Sequence, residues 1–486
     1  MPPPEQRKLE RENERLREEN RRLQQELIDS RKQVADLERQ LGLRRQNSTT
    51  SSKPPSSDGL AGQQRERGRK KKSGRKPGGQ PGHRGHCREL VPAARVNEVV
   101  KLRPENCRYC LEGLKGVTPE NNPRRHQVTE LPRIEAHITE YQCERVACPA
   151  CGKITQASLP EEVQGQFGPE LTALMAYLTV VCRLPRRVSV ELLGEVLGIP
   201  LSLGSGQNAW EEASEAVAEP YSELERELPN QPVINSDETG YRTDGEKRWL
   251  WALVAPGFVF YKIALTRGAE VLVQLLGAVF AGILCSDRCP LYTKYHQGEA
   301  QFCRAHFKRN ILGVQELAKT SDAERFCRDA LALHARLFRL WHRFRAGPDA
   351  NYGPLTRQQL IDRSIPIQKK FFALAQHNLD SEDRDVRNLA TALYVHLPKF
   401  FAFVEREAVE PTNNSAERAL RCAVQWRKTS FGSRSATGEV AVARLLTVTR
   451  TCRLSDRKPL AYLAAAIRSH RGGQPAPSLL ENPPTA

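Results

Sequence analysis

The 486-residue sequence contains no run of about 18 apolar residues, the length a membrane-crossing helix needs. Its amino terminus, MPPPEQRKLERENERL, has no apolar core of the kind a secretory signal carries. These two absences predict a soluble cytoplasmic protein with no membrane partner. Acidic residues are also in deficit: 57 Asp and Glu face 74 Lys and Arg, a formal net charge of +17. That surplus favours a polyanionic partner over an inert surface. Cysteine is not scarce, with thirteen residues, but a reducing compartment excludes a disulfide framework. Four of the thirteen fall into two CxxC pairs, a spacing that points to metal.

The first 45 residues read as a coiled coil. Leu9, Leu16, Leu23 and Leu37 recur at seven-residue steps with Ser30 in the gap, and Asn13, Asn20, Leu27, Val34 and Leu41 fill the second core position. Buried asparagines favour a defined register, so a homodimer or higher oligomer is expected. Residues 46–95 then form a basic, disordered linker, because Gly, Ser and Pro support neither helix nor core. Between Ala61 and His86 nine cations oppose one acid, Glu66. Among them Arg69, Lys70, Lys71, Lys72, Arg75, Lys76 and Arg84 are candidate DNA contacts, either as a minor-groove arm or through plain phosphate attraction.

Residues 96–160 carry Cys107-x-x-Cys110 and Cys148-x-x-Cys151. Two such turns can complete a four-thiolate site for one structural zinc. The 37 intervening residues alternate in HQVTEL and AHITEYQC, which predicts a zinc ribbon with an inserted β-hairpin. Residues 165–228 are helical. SVELLGEVLGIPLSLGSGQNAWEEA reads as helix, turn at Gly198-Ile199-Pro200, helix, a spacing shared by helix-turn-helix modules and plain bundles. In the first case Ser205, Gln207 and Asn208 lie near the groove.

After Asn230 the pattern turns to strands. QPVINSDETGY is a short strand ending in acids, KRWLWALVAP and GFVFYKIAL are two more, GAEVLVQLLGAVF is helical, and GILCSDRC is a fourth strand ending in an aspartate. Three strands, a helix and a returning strand match the start of a ribonuclease-H-like fold, which sets Asp237 beside Asp287. Adjacent carboxylates repel unless cations intervene, so two Mg2+ (or Mn2+) ions are expected there. A third acid should come from a later helix, and Glu417 in PTNNSAERALR is the first candidate, ahead of Glu299, which falls in a loop, and Glu439, about six helical turns further on. Other readings exist for each acid. Aspartates after strands can cap helices, Glu238 could replace Asp237, and Asn414-x-x-Glu417 fits a capping box.

The predicted class is therefore multidomain α+β. The ribonuclease-H-like core occupies 229–315 and 409–470 and is interrupted by a helical insertion at 316–408, with a disordered tail at 471–486. The 129 residues between Asp287 and Glu417 make the insertion necessary, and Phe326, Ala330, Leu333, Leu337, Trp341 and Phe344 mark one apolar helix face within it.

Six motifs in order, NSTTSSKPPSSDG, GRKPGGQPGHRGH, the ENCRYC and CPACGK pairs, SDETGYR with WLWALV, CRAHFKRN and PTNNSAERALR, resemble the DDE-type bacterial transposases of insertion-sequence family sixty-six. The resemblance implies a catalytic triad of Asp237, Asp287 and Glu417. It implies metal-dependent hydrolytic cleavage at element ends, followed by attack of the freed 3′-hydroxyl on target DNA. The implied partners are double-stranded DNA and accessory proteins of the same element, and the implied location is the nucleoid. Arg288-Cys289 depart from the Gly-Tyr that often follows the second Asp in the family. His306 is read as a neighbour that orients DNA or a carboxylate, or else as a satisfied buried histidine. Arg418, Arg421, Arg427 and Lys428 are candidate phosphate contacts, or else a solvated face. Two other functions share these features: a non-enzymatic or decayed end-binding protein, and a nuclease or resolvase on the same core.

Overall fold

Helix α1 (Pro4–Arg45) opens the chain as one 42-residue rod. The computed structural model describes residues 4–47, 50, 78, 89–120, 123–132, 134–163, 165–346 and 354–480; the seven basic residues expected to touch DNA between Arg69 and Arg84 lie outside them. Leu16, Leu23, Leu27, Val34, Leu37 and Leu41 are each 51–56% exposed along the rod. Its C-terminal end is anchored, because Arg39 forms an ion pair with Asp385 at 2.6 Å and Gln46 donates to the Gly313 carbonyl at 2.8 Å.

Contacts divide the chain into residues 63–137 and a larger unit of 1–62 with 138–486. In the smaller unit Gln127 fixes both backbone groups of Val91, accepting from its N–H at 2.8 Å and donating to its carbonyl at 2.9 Å. HQVTEL and AHITEYQC do not form the expected hairpin: neither lies in a strand. Their apolar positions have nothing to pack on, with Val128, Leu131 and Ile138 each more than 80% exposed. The small sheet lies elsewhere, as β1 (Arg145–Ala147) antiparallel to β2 (Ile154–Gln156), flanking the second cysteine pair.

Helices α2 (Pro169–Val180), α3 (Arg186–Leu197), α4 (Leu203–Ala216) and α5 (Ala218–Glu227) lead into the main sheet. Gly198 ends α3 in the left-handed conformation (φ 66), and Ser202 caps α4 by accepting from Ser205 N–H. A Cβ at Gly206 would come within 2.9 Å of Met175 and 3.2 Å of Val190, so α4 packs closely on α2 and α3.

The main sheet contains β3 (Val233–Thr243), β4 (Glu246–Val254), β5 (Val259–Ala264), β6 (Ile283–Ser286) and β7 (Ala300–Phe302) in the order β5-β4-β3-β6-β7. The first three are antiparallel, while β6 and β7 run parallel to β3. This mixed five-stranded sheet is consistent with a ribonuclease-H-like core. β3 does not end at its acids. It continues to Thr243, because Asp244 (φ 49) and Gly245 (φ 80) supply the two left-handed residues that a tight hairpin to β4 requires. Helix α6 (Ala269–Leu276) crosses over to β6, and the short α7 (Pro290–Tyr295) follows it.

The 129-residue interval holds α8 (Arg304–Leu317), α9 (Ser321–Phe344), α10 (Arg357–His377), α11 (Arg384–His396) and α12 (Ala402–Glu405). Phe326, Ala330, Leu337 and Trp341 of α9 are buried in a second apolar core that also takes in Val233, Cys285 and Phe302 from the sheet. Helices α13 (Asn414–Ser430), α14 (Ala436–Leu454) and α15 (Pro459–Arg471) pack against the sheet in another apolar core, where Leu420, Leu445 and Leu463 join Leu250, Trp251 and Phe260. Thr451 and Thr447 of α14 accept from Val259 and Tyr261 N–H at 3.1 and 2.9 Å, which satisfies the free edge of β5.

Candidate active site

The parallel pairing of β3 with β6 matches Asn235 to Cys285. Asp237 and Asp287 each lie two residues beyond that pair. Side chains alternate along a strand, and neighbouring strands lie about 4.8 Å apart, so the offset sets both carboxylates level, Asp237 in the middle of β3 and Asp287 just past the carboxyl end of β6. Asp237 is opposite Ala252 on its other side. Its carboxyl is pushed well above the ordinary range, first by burial and then by the charges of Glu238, Asp287 and Glu417. Asp287 accepts from Cys289 N–H at 2.8 Å just ahead of α7, so it also makes the local turn its position allows.

Glu417 enters from the first turn of α13, but not through a capping box. The cap residue is Asn413, not Asn414, and its side chain makes no capping bond. The Asn413 amide is used across the sheet: it donates to Ser236 O at 2.8 Å and accepts from Asn235 Nδ2 at 3.0 Å. Its backbone N–H donates to Cys303 Sγ at 3.1 Å. The helix start is thereby pinned to the residues just before Asp237 and to the start of α8.

Arg309 donates to Glu417 Oε1 at 3.0 Å and to His306 Nε2 at 3.1 Å. Arginine has only donors, so His306 carries its proton on Nδ1, the atom 3.5 Å from Glu417 Oε1. Burial, with the Arg309 charge, lowers the imidazole pKa and keeps it neutral. Burial pushes the Cys303 thiol up to about 11. Among the described residues Cys303, His306 and Glu417 form the one group of metal-capable donors within 4.8 Å of one another; Asp237 and Asp287 are not part of it.

Glu238 faces away from this cluster into protein. Its side chain is paired with Arg267 at 2.6 Å and with the Tyr292 hydroxyl, which occupies it fully. Arg309, Asn413, Cys303, Tyr292 and Arg267 were not singled out from the sequence for these roles. Two of them leave a signal there: Cys303 pairs with His306 in a Cys-x-x-His spacing that could suggest a zinc half-site but has no matching partner pair, and Arg309 stands one helical turn after His306 in CRAHFKRN.

A sheet of this order, two level aspartates and a glutamate from a later helix narrow the families to be considered. Residues 164–441 match the family described as Transposase IS66 family. The chain belongs to that family. The family is described as one of transposases. Residues 1–89 match a second family, described only as a family of unknown function. Two uncharacterized proteins of Sinorhizobium fredii are similar. One, y4hP, is 25% identical over 385 residues, 72% of this chain and 66% of its own length. The other, y4qI, is 26% identical over 258 residues, 47% of this chain and 45% of its own length. The chain therefore spans less than two thirds of either relative.

The donor set suits the metals the family implies. Carboxylate oxygens are the ligands Mg2+ and Mn2+ prefer, and a cluster whose members raise the pKa of Asp237 is one a divalent cation neutralises. Helix α13 buries Ala416, Ala419, Leu420, Ala423 and Trp426 and exposes Arg418, Arg421 and Lys428. The exposed residues follow helical spacing and form one basic face. Arg427 is half-buried, 3.5 Å from Thr239 Oγ1. In α4, Gln207 donates to Glu211 at 2.7 Å, while Asn208 is exposed.

Each cysteine pair forms the same turn. Cys107 N–H donates to Glu112 O and Leu111 N–H to Cys107 O; Cys148 N–H donates to Lys153 O and Gly152 N–H to Cys148 O. The residue after each second cysteine is left-handed, Leu111 at φ 60 and Gly152 at φ 70. Backbone amides of Cys110 and Tyr109 lower the Cys107 thiol pKa, and those of Ala150 and Cys151 lower that of Cys148. Amides aimed at sulfur favour thiolate, the form that binds zinc. Among the described residues no helix is long and apolar enough to cross a membrane.

Proposed function

We propose that the protein cleaves the ends of an insertion sequence and joins them to target DNA, with Asp237, Asp287 and Glu417 as the catalytic carboxylates. The observation that carries this reading is the equal offset of Asp237 and Asp287 from the Asn235–Cys285 pair, with Glu417 close enough to bear on Asp237. Two divalent ions held by these three side chains would activate the attacking oxygen and neutralise charge on the phosphorus. Asn413 holds the start of α13 in register with β3, and Arg309 and His306 orient one oxygen of Glu417. Water attack on the end phosphodiester leaves a 3′-hydroxyl and a 5′-phosphate. The 3′-hydroxyl then displaces a 3′-hydroxyl of target DNA, so one phosphodiester forms as one breaks.

The other elements would serve DNA and assembly. Arg418, Arg421, Arg427 and Lys428 would track phosphates beside the scissile bond. The basic strip from Arg69 to Arg84 would contact the backbone, and α3–α4 would act as a helix-turn-helix with Asn208 at its exposed edge. One zinc held by Cys107, Cys110, Cys148 and Cys151 would be structural, and the leucine seam of α1 would pair protomers so that both ends are processed together.

The test incubates the protein with Mg2+ and duplexes carrying the parent element's ends. Cleavage and joining abolished by Asp237→Ala, Asp287→Ala or Glu417→Ala supports the reading. End binding without cleavage under any divalent ion favours a regulator, and cleavage without joining favours a nuclease.

A further inference from the structure

A cavity of about 390 Å³ lies between α2, the α3 start, α4 and the turn joining α13 to α14. Three guanidinium groups line it, Arg183, Arg186 and Arg434, together with the hydroxyls of Ser430 and Ser435; no carboxylate does. Two of its donors are buried with no hydrogen-bond partner among the described residues, Arg186 Nε and Ser430 Oγ. Burial already lowers the Arg186 pKa, so its charge sits there at a cost that an anion would offset. Arg186 is held in place, stacked 5.3 Å over Trp210. The cavity also receives the first turn of the 19-residue α14, where Ser435 caps and Gly438 lines the wall, adding the partial positive charge of a helix start. Three cations, one of them with an unsatisfied donor, the unsatisfied Ser430 hydroxyl and a helix start converge on one space.

The site is rigidly tied to the catalytic strand. Ser433 N–H donates to Arg242 O at 3.1 Å, Asp244 N–H to Ser433 O at 2.9 Å, and Tyr241 shares a 2.8 Å hydroxyl bond with Ser433 Oγ. A Cβ at Gly432 (φ 99) would lie 2.2 Å from Arg242 O, so only glycine permits this approach. Arg242 is five residues along β3 from Asp237, about 17 Å at 3.3 Å per residue. Phe431, beside Gly432, is 85% exposed, an aromatic face at the rim suited to a nucleic acid rather than a free ion.

We propose that this cavity binds a backbone phosphate of the element-end DNA, four to six nucleotides from the cleaved bond. The interval follows from about 17 Å divided by about 3.4 Å of rise per nucleotide. The proposal rests on the transposase reading and adds to it a phosphate contact that fixes how far the end is inserted.

The test places single neutral methylphosphonate linkages along an end duplex and measures binding and cleavage by the full chain. Wild-type protein should lose about tenfold in affinity at one or two adjacent positions within the interval and little elsewhere. Arg186→Gln, and separately the exposed-site variant Arg434→Gln, should weaken binding of the unmodified end and lose the sensitivity at that position. Circular dichroism melts establish that each variant is folded. If wild-type protein binds and cleaves ends but no position is sensitive, or if both folded variants keep the sensitivity, the cavity proposal fails and the function stands. If no end is bound or cleaved, both fail. Stabilisation by inorganic phosphate that is lost in Arg186→Gln, without a sensitive linkage, would assign the site to a free ion and overturn the proposal.

Discussion

Asn413 donates to Ser236 O and accepts from Asn235 Nδ2, so one side chain joins the helix of Glu417 to the strand of Asp237. It is 1% exposed, and truncation would leave the Asn235 amide and the Ser236 carbonyl unpaired beside the active site. Asn413→Ala is expected to cost about 1–3 kcal/mol of stability, measured by urea denaturation. End cleavage should fall about 10–100-fold through misplacement of Glu417. Unchanged cleavage in a folded variant would show that α13 is held by other contacts.

Arg304 has no exposed surface, and its three guanidinium nitrogens find no hydrogen-bond partner among the described residues. Four phenylalanine rings, Phe307, Phe371, Phe400 and Phe401, surround it at 4.7–5.8 Å, and burial lowers its pKa to about 9. Replacing a buried, unpaired charge by an apolar group of similar length removes a desolvation cost. Arg304→Met is expected to raise the urea midpoint, by a stabilisation of about 1–4 kcal/mol. A lower midpoint would mean that the ring contacts outweigh desolvation.

His334 donates through Nε2 to the Arg304 carbonyl at 3.2 Å, and burial, with the Arg304 charge, lowers its pKa to about 3 from 6.5. Below pH 6.5 the unfolded chain takes up a proton that the folded chain refuses. Stability should therefore fall as the pH drops from 6.5 towards 3, by up to about 1.4 kcal/mol per unit. Above 6.5 this residue adds no slope. Denaturation midpoints at pH 7.5 and 5 test this, and His334→Gln should flatten the difference.

Metal analysis checks the cysteine turns. One zinc per chain is expected by mass spectrometry, lost together with folding of residues 96–160 in Cys110→Ser or Cys151→Ser. Full zinc content in either variant would remove that cysteine from the ligand set.

The exposed leucines of α1 predict self-association. Light scattering should give a dimer or larger species, and Leu23→Glu combined with Leu27→Glu should yield monomer. A monomeric parent protein would contradict the seam.

The sequence by itself determined what depends on local pattern. The long first helix followed from its polar, leucine-spaced register, the CxxC turns from spacing alone, and the strand–helix–strand order from alternation. Family membership was legible because six motifs in order constrain one another. What pairs across the fold was not. Asn414 looked like the cap because a capping box is a local pattern, but only packing against β3 shows that Asn413 is used across the sheet. The sequence pattern ends β3 at its acids, since polar residues usually end a buried strand; the hairpin partner β4 carries it further. HQVTEL and AHITEYQC alternate like strands, yet alternation needs an apolar layer beneath it, and among the described residues Val128, Leu131 and Ile138 are exposed instead. The Glu417 partner of Arg309, the Glu238 partner of Tyr292 and the facing walls of the arginine-lined cavity lie far apart in sequence. Their roles come from tertiary contacts that bring charge and hydrogen-bond demand together, and no spacing rule encodes them.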